Sequence, residues 1–372
     1  MKKITPWLHD SSYLAPLSPA CRMCAKGEKM VVLVTGVCPT KCFYCPLSFK
    51  KGGTDRIFAD EWELDNEHDT QKLIKEAECI DAAGAGITGG DPLIVWQRVK
   101  TYITLLKNTF GDSFHIHLYT SALKNATHLP DLVAAGLDEI RFHPLPHSWS
   151  HMDANPIKKT IRQLQGSSAD VALEIPVLPK KEKEILSLIS WANQQGLRWI
   201  NLNELEFSER NCSEFLTRGY QVKNTISAAV KGSQETAQKI LRGIQKENLR
   251  IGVHYCSVSF KDGVQLKNRL LRRANHIATP YDVITKEGTL IKGVIYPSDQ
   301  SITSLLSMLQ KIQMIPSHLL RLDYEKERIE IAAWLLEKIA PRLSKQGYRC
   351  FIVEEYPTAD RLEVERTPVP AR

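Results

Sequence analysis

Three cysteines stand in Cys38-Pro39-Thr40-Lys41-Cys42-Phe43-Tyr44-Cys45, at spacings of four and three, just after the apolar run Met30-Val31-Val32-Leu33-Val34. Thiolates on a loop at the carboxyl end of a short buried strand are soft donors, suited to holding metal rather than filling a core. No histidine or fourth cysteine lies close by. Three thiolates leave one iron of a [4Fe–4S] cluster without a protein ligand, whereas a structural zinc site closes with four. The competing readings are a zinc knuckle and three cysteines buried for packing alone.

The C-x3-C-x2-C pattern with an aromatic before the last cysteine resembles the radical S-adenosylmethionine superfamily. The resemblance implies that Cys38, Cys42 and Cys45 hold a [4Fe–4S] cluster whose open iron is chelated by S-adenosylmethionine. It also implies that Tyr44 lies along the adenine. A second segment, Ala85-Gly86-Ile87-Thr88-Gly89-Gly90-Asp91-Pro92, resembles the family's Gly-Gly-Glu-Pro stretch, whose backbone meets the amino group of the methionine moiety. Asp91 stands where glutamate is usual. The layout is similar to that of archaeal proteins related to pyruvate formate-lyase activating enzyme, which names no substrate.

These residues need elements to position them. Strand-like runs at 30–35, 85–88, 115–120, 139–143, 170–177, 199–206 and 250–256 alternate with amphipathic stretches near 67–83, 95–109, 130–135, 155–165, 181–195 and 221–247. Such alternation predicts a parallel sheet with right-handed crossovers, curled into a full or partial barrel with its site at the carboxyl strand ends. The expected fold class is α/β. By the resemblance it is a (β/α)6 partial barrel over residues 30–257, preceded by a segment 1–29 and followed by a basic helix and small α+β appendage over 258–372.

Charged residues inside apolar strands are costly unless they face a site or a partner. Arg141 and Glu174 are therefore candidates either for a mutual bridge or for the carboxylate and ribose of the cofactor. Asn201 and Asn203 share a strand face and supply neutral donors and acceptors for ribose and adenine edges, or form a buried hydrogen-bonded pair. Glu204 stands beside them. His115 and His117 share a face of their strand; satisfied or solvent-facing histidines are a commoner outcome than metal ligands. Tyr119 and Thr120 stand nearer the strand end, and His143 is placed to meet substrate. No catalytic residue is assigned.

Cys21-Arg22-Met23-Cys24, in a proline-punctuated stretch expected to be loop or turn, is a half-site for a second Fe–S cluster or zinc. Cys256 and Cys212 are candidates to complete it. Cys79 and Cys350 fit helix and strand cores. The polar stretch 207–222 is long enough to cover a substrate. Lys267, Arg269, Arg272 and Arg273 cluster on one helix. Beyond 275, strands at 281–285, 289–296 and 349–355 and helices at 301–311 and 325–347 are expected before a polar tail.

Hydrophobic residues make up 43% and charged residues 24% of the 372, the composition of an ordinary globular protein. A run of 18 apolar residues is absent and Met1–Trp7 lacks a signal-peptide pattern, so a cytoplasmic protein without a membrane span is expected. Nine unevenly spaced cysteines argue for reduced thiols and metal rather than disulfides. A net charge of +7 suits a polyanionic substrate such as tRNA, but a solvated lysine-rich surface is the commoner explanation. The expected partners are S-adenosylmethionine, an electron donor such as ferredoxin or flavodoxin, and a tRNA or protein substrate, with glycyl-radical activation among the reactions. Two other classes compete: a zinc-dependent nucleic-acid-binding protein and a non-catalytic Fe–S electron carrier. The Gly89-Gly90-Asp91 segment argues against both.

Overall fold

A computed structural model describes residues 3–247, 249–297, 301–311 and 314–370. The chain divides into two compact units, Met1–Leu266 and Lys267–Arg372.

The first unit begins with β1 (Ile4–Pro6), β2 (Ser12–Leu14), α1 (Pro19–Ala25) and β3 (Lys29–Leu33). A loop returns through β4 (Phe58–Ala59) and β5 (Trp62–Glu63) to α2 (Thr70–Cys79) and β6 (Gly84–Thr88). Then come α3 (Trp96–Phe110), β7 (His115–Thr120), α4 (Leu129–Ala134), β8 (Glu139–Phe142), α5 (Ile157–Leu164), β9 (Asp170–Val177), α6 (Glu182–Gln194) and β10 (Trp199–Glu204). After β10 stand α7 (Cys212–Thr217), the hairpin β11 (Val222–Asn224) and β12 (Ser227–Val230), α8 (Ser233–Ile244), β13 (Gly252–Cys256) and α9 (Val258–Phe260).

The sheet runs β1-β2-β13-β10-β9-β8-β7-β6-β3-β4-β5. From β3 through β6, β7, β8, β9 and β10 to β13 every neighbour is parallel and in chain order, while β2 and β4 join antiparallel at the flanks. Side chains alternate across a strand, and here the two faces differ in chemistry. Ile87, Ile116, Leu118, Ile140, Phe142, Leu173, Ile175, Ile200, Leu202 and Val253 join one apolar core with Leu73, Tyr102, Leu132, Ile161, Leu188 and Ile240 of the crossover helices. The opposite face carries His115, His117, Tyr119, Glu139, Arg141, Glu174, Asn201, Asn203, His254 and Cys256, at the alternate positions of the same strands. The fold is thus mixed α/β with its polar strand residues collected on one side.

Several expectations need correction. Segment 1–29 is not loop: β2 pairs with β13, and α1 lies over the polar face through Ser18 and Cys21. It therefore packs within the first unit, and the division falls after Leu266 rather than before 258. The amphipathic stretch 221–247 splits into a hairpin and α8, with Gly232 at positive φ where the helix starts.

The second unit holds α10 (Lys267–Ile277), β14 (Val283–Ile284), β15 (Leu290–Tyr296), α11 (Ile302–Lys311), β16 (Leu320–Asp323), β17 (Arg328–Ile331), α12 (Ala333–Lys345), β18 (Arg349–Glu355) and β19 (Glu363–Pro368). Its antiparallel sheet runs β16-β17-β15-β18-β19, with β14 also on β15. Ile295, Ile329, Ile331 and Cys350 pack on one face against Leu305, Leu309, Leu336 and Leu343 of α11 and α12. The expected helix 325–347 starts only at Ala333, because Arg328–Ile331 is drawn into the sheet and buries Arg328 against Glu330 and Glu355 at 2.7 and 2.5 Å. The polar tail supplies β19. Arg273 is buried and donates to the carbonyl of Pro357, so the basic helix is not a uniformly solvated face.

Candidate active site on the polar face

The cysteine loop leaves the end of β3, whose ladder is continued by Val34 N–H donating to Thr88 O at 2.9 Å. Cys38 is exposed; Cys42 and Cys45 are half-buried. The Thr40 hydroxyl lies 3.1 Å from Cys38 Sγ and 3.5 Å from Cys42 Sγ, and Cys45 N–H donates to Cys42 O at 3.1 Å. Burial works to raise the Cys42 thiol, but hydrogen bonds with His143, Thr40 and Tyr44 hold it below the usual thiol range. Burial pushes Cys38 up. Among the described residues no three His, Cys, Asp or Glu side chains converge at metal-binding distance. The loop gathers the three thiols in one turn without aiming them at one point.

Tyr44 is buried, with its hydroxyl 2.9 Å from His143 Nε2. His143 Nδ1 lies 2.8 Å from the backbone carbonyl of Glu174. That carbonyl only accepts, so Nδ1 carries a proton. Phe43 stacks on Tyr220 at 6.4 Å with planes 3° apart, under the Arg218 guanidinium at 4.2 Å. The expected covering segment 207–222 thus includes α7 and rests on the cysteine loop. Cys212, at the start of α7, is half-buried; Cys79 and Cys350 are core residues as expected.

The glycine segment meets the cysteine loop backbone to backbone. Gly90 N–H donates to Thr35 O at 2.7 Å and Asp91 N–H to Val37 O at 2.9 Å. A Cβ on Gly89, which has φ +153°, would stand 2.2 Å from Thr35 O, and one on Gly90 2.1 Å from Val37 O. Only glycine permits this approach. Asp91 is 1% exposed, and its carboxylate accepts from Thr120 Oγ1 at 2.8 Å, Ser121 N–H at 2.9 Å, Ser121 Oγ at 2.5 Å and Leu93 N–H at 3.1 Å. The Asp91 side chain is therefore consumed in fixing the loop. Thr120, expected near a cofactor, is likewise tied to Asp91, and the Tyr119 hydroxyl lies 2.9 Å from His117 Nε2.

Deeper on the polar face, Arg141 is 3% exposed. Its Nε donates to Glu139 Oε1 at 2.6 Å and Nη1 to Glu174 Oε2 at 2.7 Å, while Nη2 reaches Ser18 Oγ at 3.0 Å and Cys21 Sγ at 3.5 Å. Asn201 and Asn203 donate to the two oxygens of Glu174 at 3.0 and 2.8 Å. The four residues singled out by sequence are thus brought together, and the mutual bridge between Arg141 and Glu174 is present. Burial works to raise the Glu174 carboxyl, but Arg141 and the amide donors hold it below the carboxylate range. Arg141 is spent inside the protein; Glu174 and Asn203 keep some exposure.

Glu139 is fully buried, and sequence reading passed over it as partner to Arg141. Its position two residues before Arg141 in one strand was the available signal. Lys29 approaches His115, with Nζ 3.0 Å from Nδ1, and burial lowers that amine to about 7. Cys21 is raised by burial, with Arg141 opposing; Cys24 is pushed up to about 11 by burial and by Cys21; Cys256 is also raised by burial, against Lys261.

Residues 288–369 match the model of a domain of unknown function, DUF8061. Among solved structures, the S-adenosylmethionine-bound SuiB of Streptococcus suis superposes with a TM-score of 0.43 at 9% identity, covering 62% of this chain and 50% of that one. A radical SAM methyltransferase of Sphaerobacter thermophilus gives 0.39 at 13% identity, over 69% of this chain and 72% of that one. A protein of Methanocaldococcus jannaschii named "Putative glycyl-radical enzyme activating enzyme MJ0021" is 36% identical over 362 residues, spanning 95% of this chain and 93% of that relative. The chain belongs to the family of that relative.

Proposed function

We propose that Cys38, Cys42 and Cys45 hold a [4Fe–4S] cluster and that S-adenosylmethionine binds between the cysteine loop and the polar face of the sheet. The observation that carries this reading is the backbone junction of the two loops, Gly90 to Thr35 and Asp91 to Val37, at the ends of adjacent parallel strands. It holds the glycine turn backbone to backbone against the loop of three thiols, one of them kept acidic by hydrogen bonds. Soft thiolates in that environment fit iron–sulfur ligation. A cluster held there would supply the electron for reductive cleavage of S-adenosylmethionine, and with it radical hydrogen abstraction from a substrate.

The chain's own residues then have definite tasks. Asp91 fixes the glycine turn from below. Tyr44 is anchored through its hydroxyl to His143 beside the cysteines. Glu174 and Asn203, which keep some exposure, offer acceptor and donor groups to a ribose, while Arg141 holds Glu174 ionised. The parallel, sequential order of β3 to β13, with its crossover helices packed on the apolar face, favours curling into a partial barrel around the polar face. Nine free cysteines fit a reducing cytoplasm supplied with a ferredoxin- or flavodoxin-type donor. The relative's name favours a glycyl-radical protein as substrate, with hydrogen taken from a glycine Cα.

Anaerobic reconstitution tests the reading. About four irons per chain and 5′-deoxyadenosine formed with dithionite and S-adenosylmethionine are expected, both lost in Cys42→Ala. Iron retained by Cys42→Ala, or iron binding without cofactor cleavage in the unaltered chain, overturns it.

A further inference from the structure

The polar face carries a second set of soft donors, away from the cysteine loop. Cys21 and Cys24 stand one turn apart on α1, and His254 and Cys256 share one face of β13 at alternate positions. The register places them together. Asn201 is paired with His254 and Asn203 with Cys256 on adjacent parallel strands, whose spacing is about 4.8 Å. Asn201 Nδ2 in turn lies 3.3 Å from Cys21 Sγ. Cys21 therefore sits over the strand next to His254 and Cys256.

His254 is an independent sign of a ligand. It is 4% exposed, ringed by Trp7 at 5.4 Å and Phe260 at 6.4 Å, and neither ring nitrogen has a hydrogen-bond partner among the described residues. A buried imidazole with both nitrogens unpaired is costly. We propose that Cys21, Cys24, His254 and Cys256 form a closed four-ligand site for a zinc-type divalent cation, separate from the cysteine loop. Three sulfurs and one nitrogen are a ligand set of structural zinc.

Charge supports the assignment. Three thiolates and a neutral imidazole leave one excess negative charge on a divalent ion, the three thiol protons passing to solvent. Arg141 touches Cys21 at 3.5 Å, and Lys261 acts on Cys256. Binding requires the four side chains to turn toward one point, since no three ligating groups converge among the described residues. The same holds for Cys38, Cys42 and Cys45.

The test uses the full chain with Cys38→Ala, Cys42→Ala and Cys45→Ala, loaded anaerobically with Zn²⁺ or Co²⁺. One metal ion per chain and a cobalt–thiolate charge-transfer band are expected, both lost when Cys21→Ser and Cys256→Ser are added; His254→Gln should weaken binding and alter the cobalt spectrum. A folded triple variant that binds no metal, or a metal whose spectrum ignores Cys21→Ser and Cys256→Ser, overturns the proposal and leaves the reading of the cysteine loop untouched. Should the triple variant not fold, the iron-loaded unaltered chain decides. One zinc beyond its iron, lost in Cys21→Ser with Cys256→Ser, supports the site; iron alone refutes it.

Discussion

Two groups of three cysteines share the first unit and live in opposite environments. Cys38, Cys42 and Cys45 lie in a turn at a strand end, where hydroxyl and imidazole partners offset burial and hold Cys42 acidic. Cys21, Cys24 and Cys256 lie on the polar face under α1, where burial dominates and raises all three despite Arg141 and Lys261. Local hydrogen bonds set Cys42 apart, since Cys38 in the same turn is raised by burial as the interior thiols are. The interior group depends on nearby cations for whatever anionic character it acquires.

That dependence is broken most severely at Arg141. Arg141→Met leaves Glu139 and Glu174 buried without their shared cation and should destabilise the protein by about 3–5 kcal/mol, read as a lower urea midpoint. A folded variant with an unchanged midpoint would show the ion network to be dispensable.

A smaller effect comes through pH. Glu174 is held below its ordinary value, so its contribution is complete above about pH 4.3 and is lost as pH falls through the lower folded value. The stability gap between the unaltered chain and Glu174→Gln should therefore be wide at pH 7 and narrow below pH 4. A gap that widens in acid contradicts this assignment.

The mildest probe is alkylation of the metal-free protein. A thiol pushed up to about 11 is about one part in ten thousand thiolate at pH 7, so Cys24 should react with iodoacetamide more than about tenfold slower than Cys42. Peptide mass spectrometry after brief labelling reads the order. Cys24 labelling first would reverse the comparison.

Much of this was legible in sequence because it is local. The strand β7 at 115–120 and β9 at 170–177 have the expected bounds, since alternating or continuous apolar runs report directly on sheet burial. The two motif loops, and the charged strand residues Arg141 and Glu174, stood out by violating that pattern. What escaped was long-range. Ser12–Leu14 is three residues long and becomes a strand only because β13 lies beside it. Arg328–Ile331 reads as the first turn of a helix until β15 and β16 claim it. The enclosure of Glu139 by Ser18 and the role of α1 as a cover for the polar face rest on contacts far apart in sequence.

The pairing of β2 with β13 has a cost in time during synthesis. Ser12–Leu14 leaves the ribosome well before Gly252–Cys256, and at about 5–20 residues per second its partner strand follows only after roughly ten seconds to a minute. Until then α1 has no complete surface to cover, and the growing parallel sheet presents an open edge at its last-made strand. The nascent chain is thus exposed to strand-edge association for most of its translation, so chaperone demand should track elongation rate more than final stability.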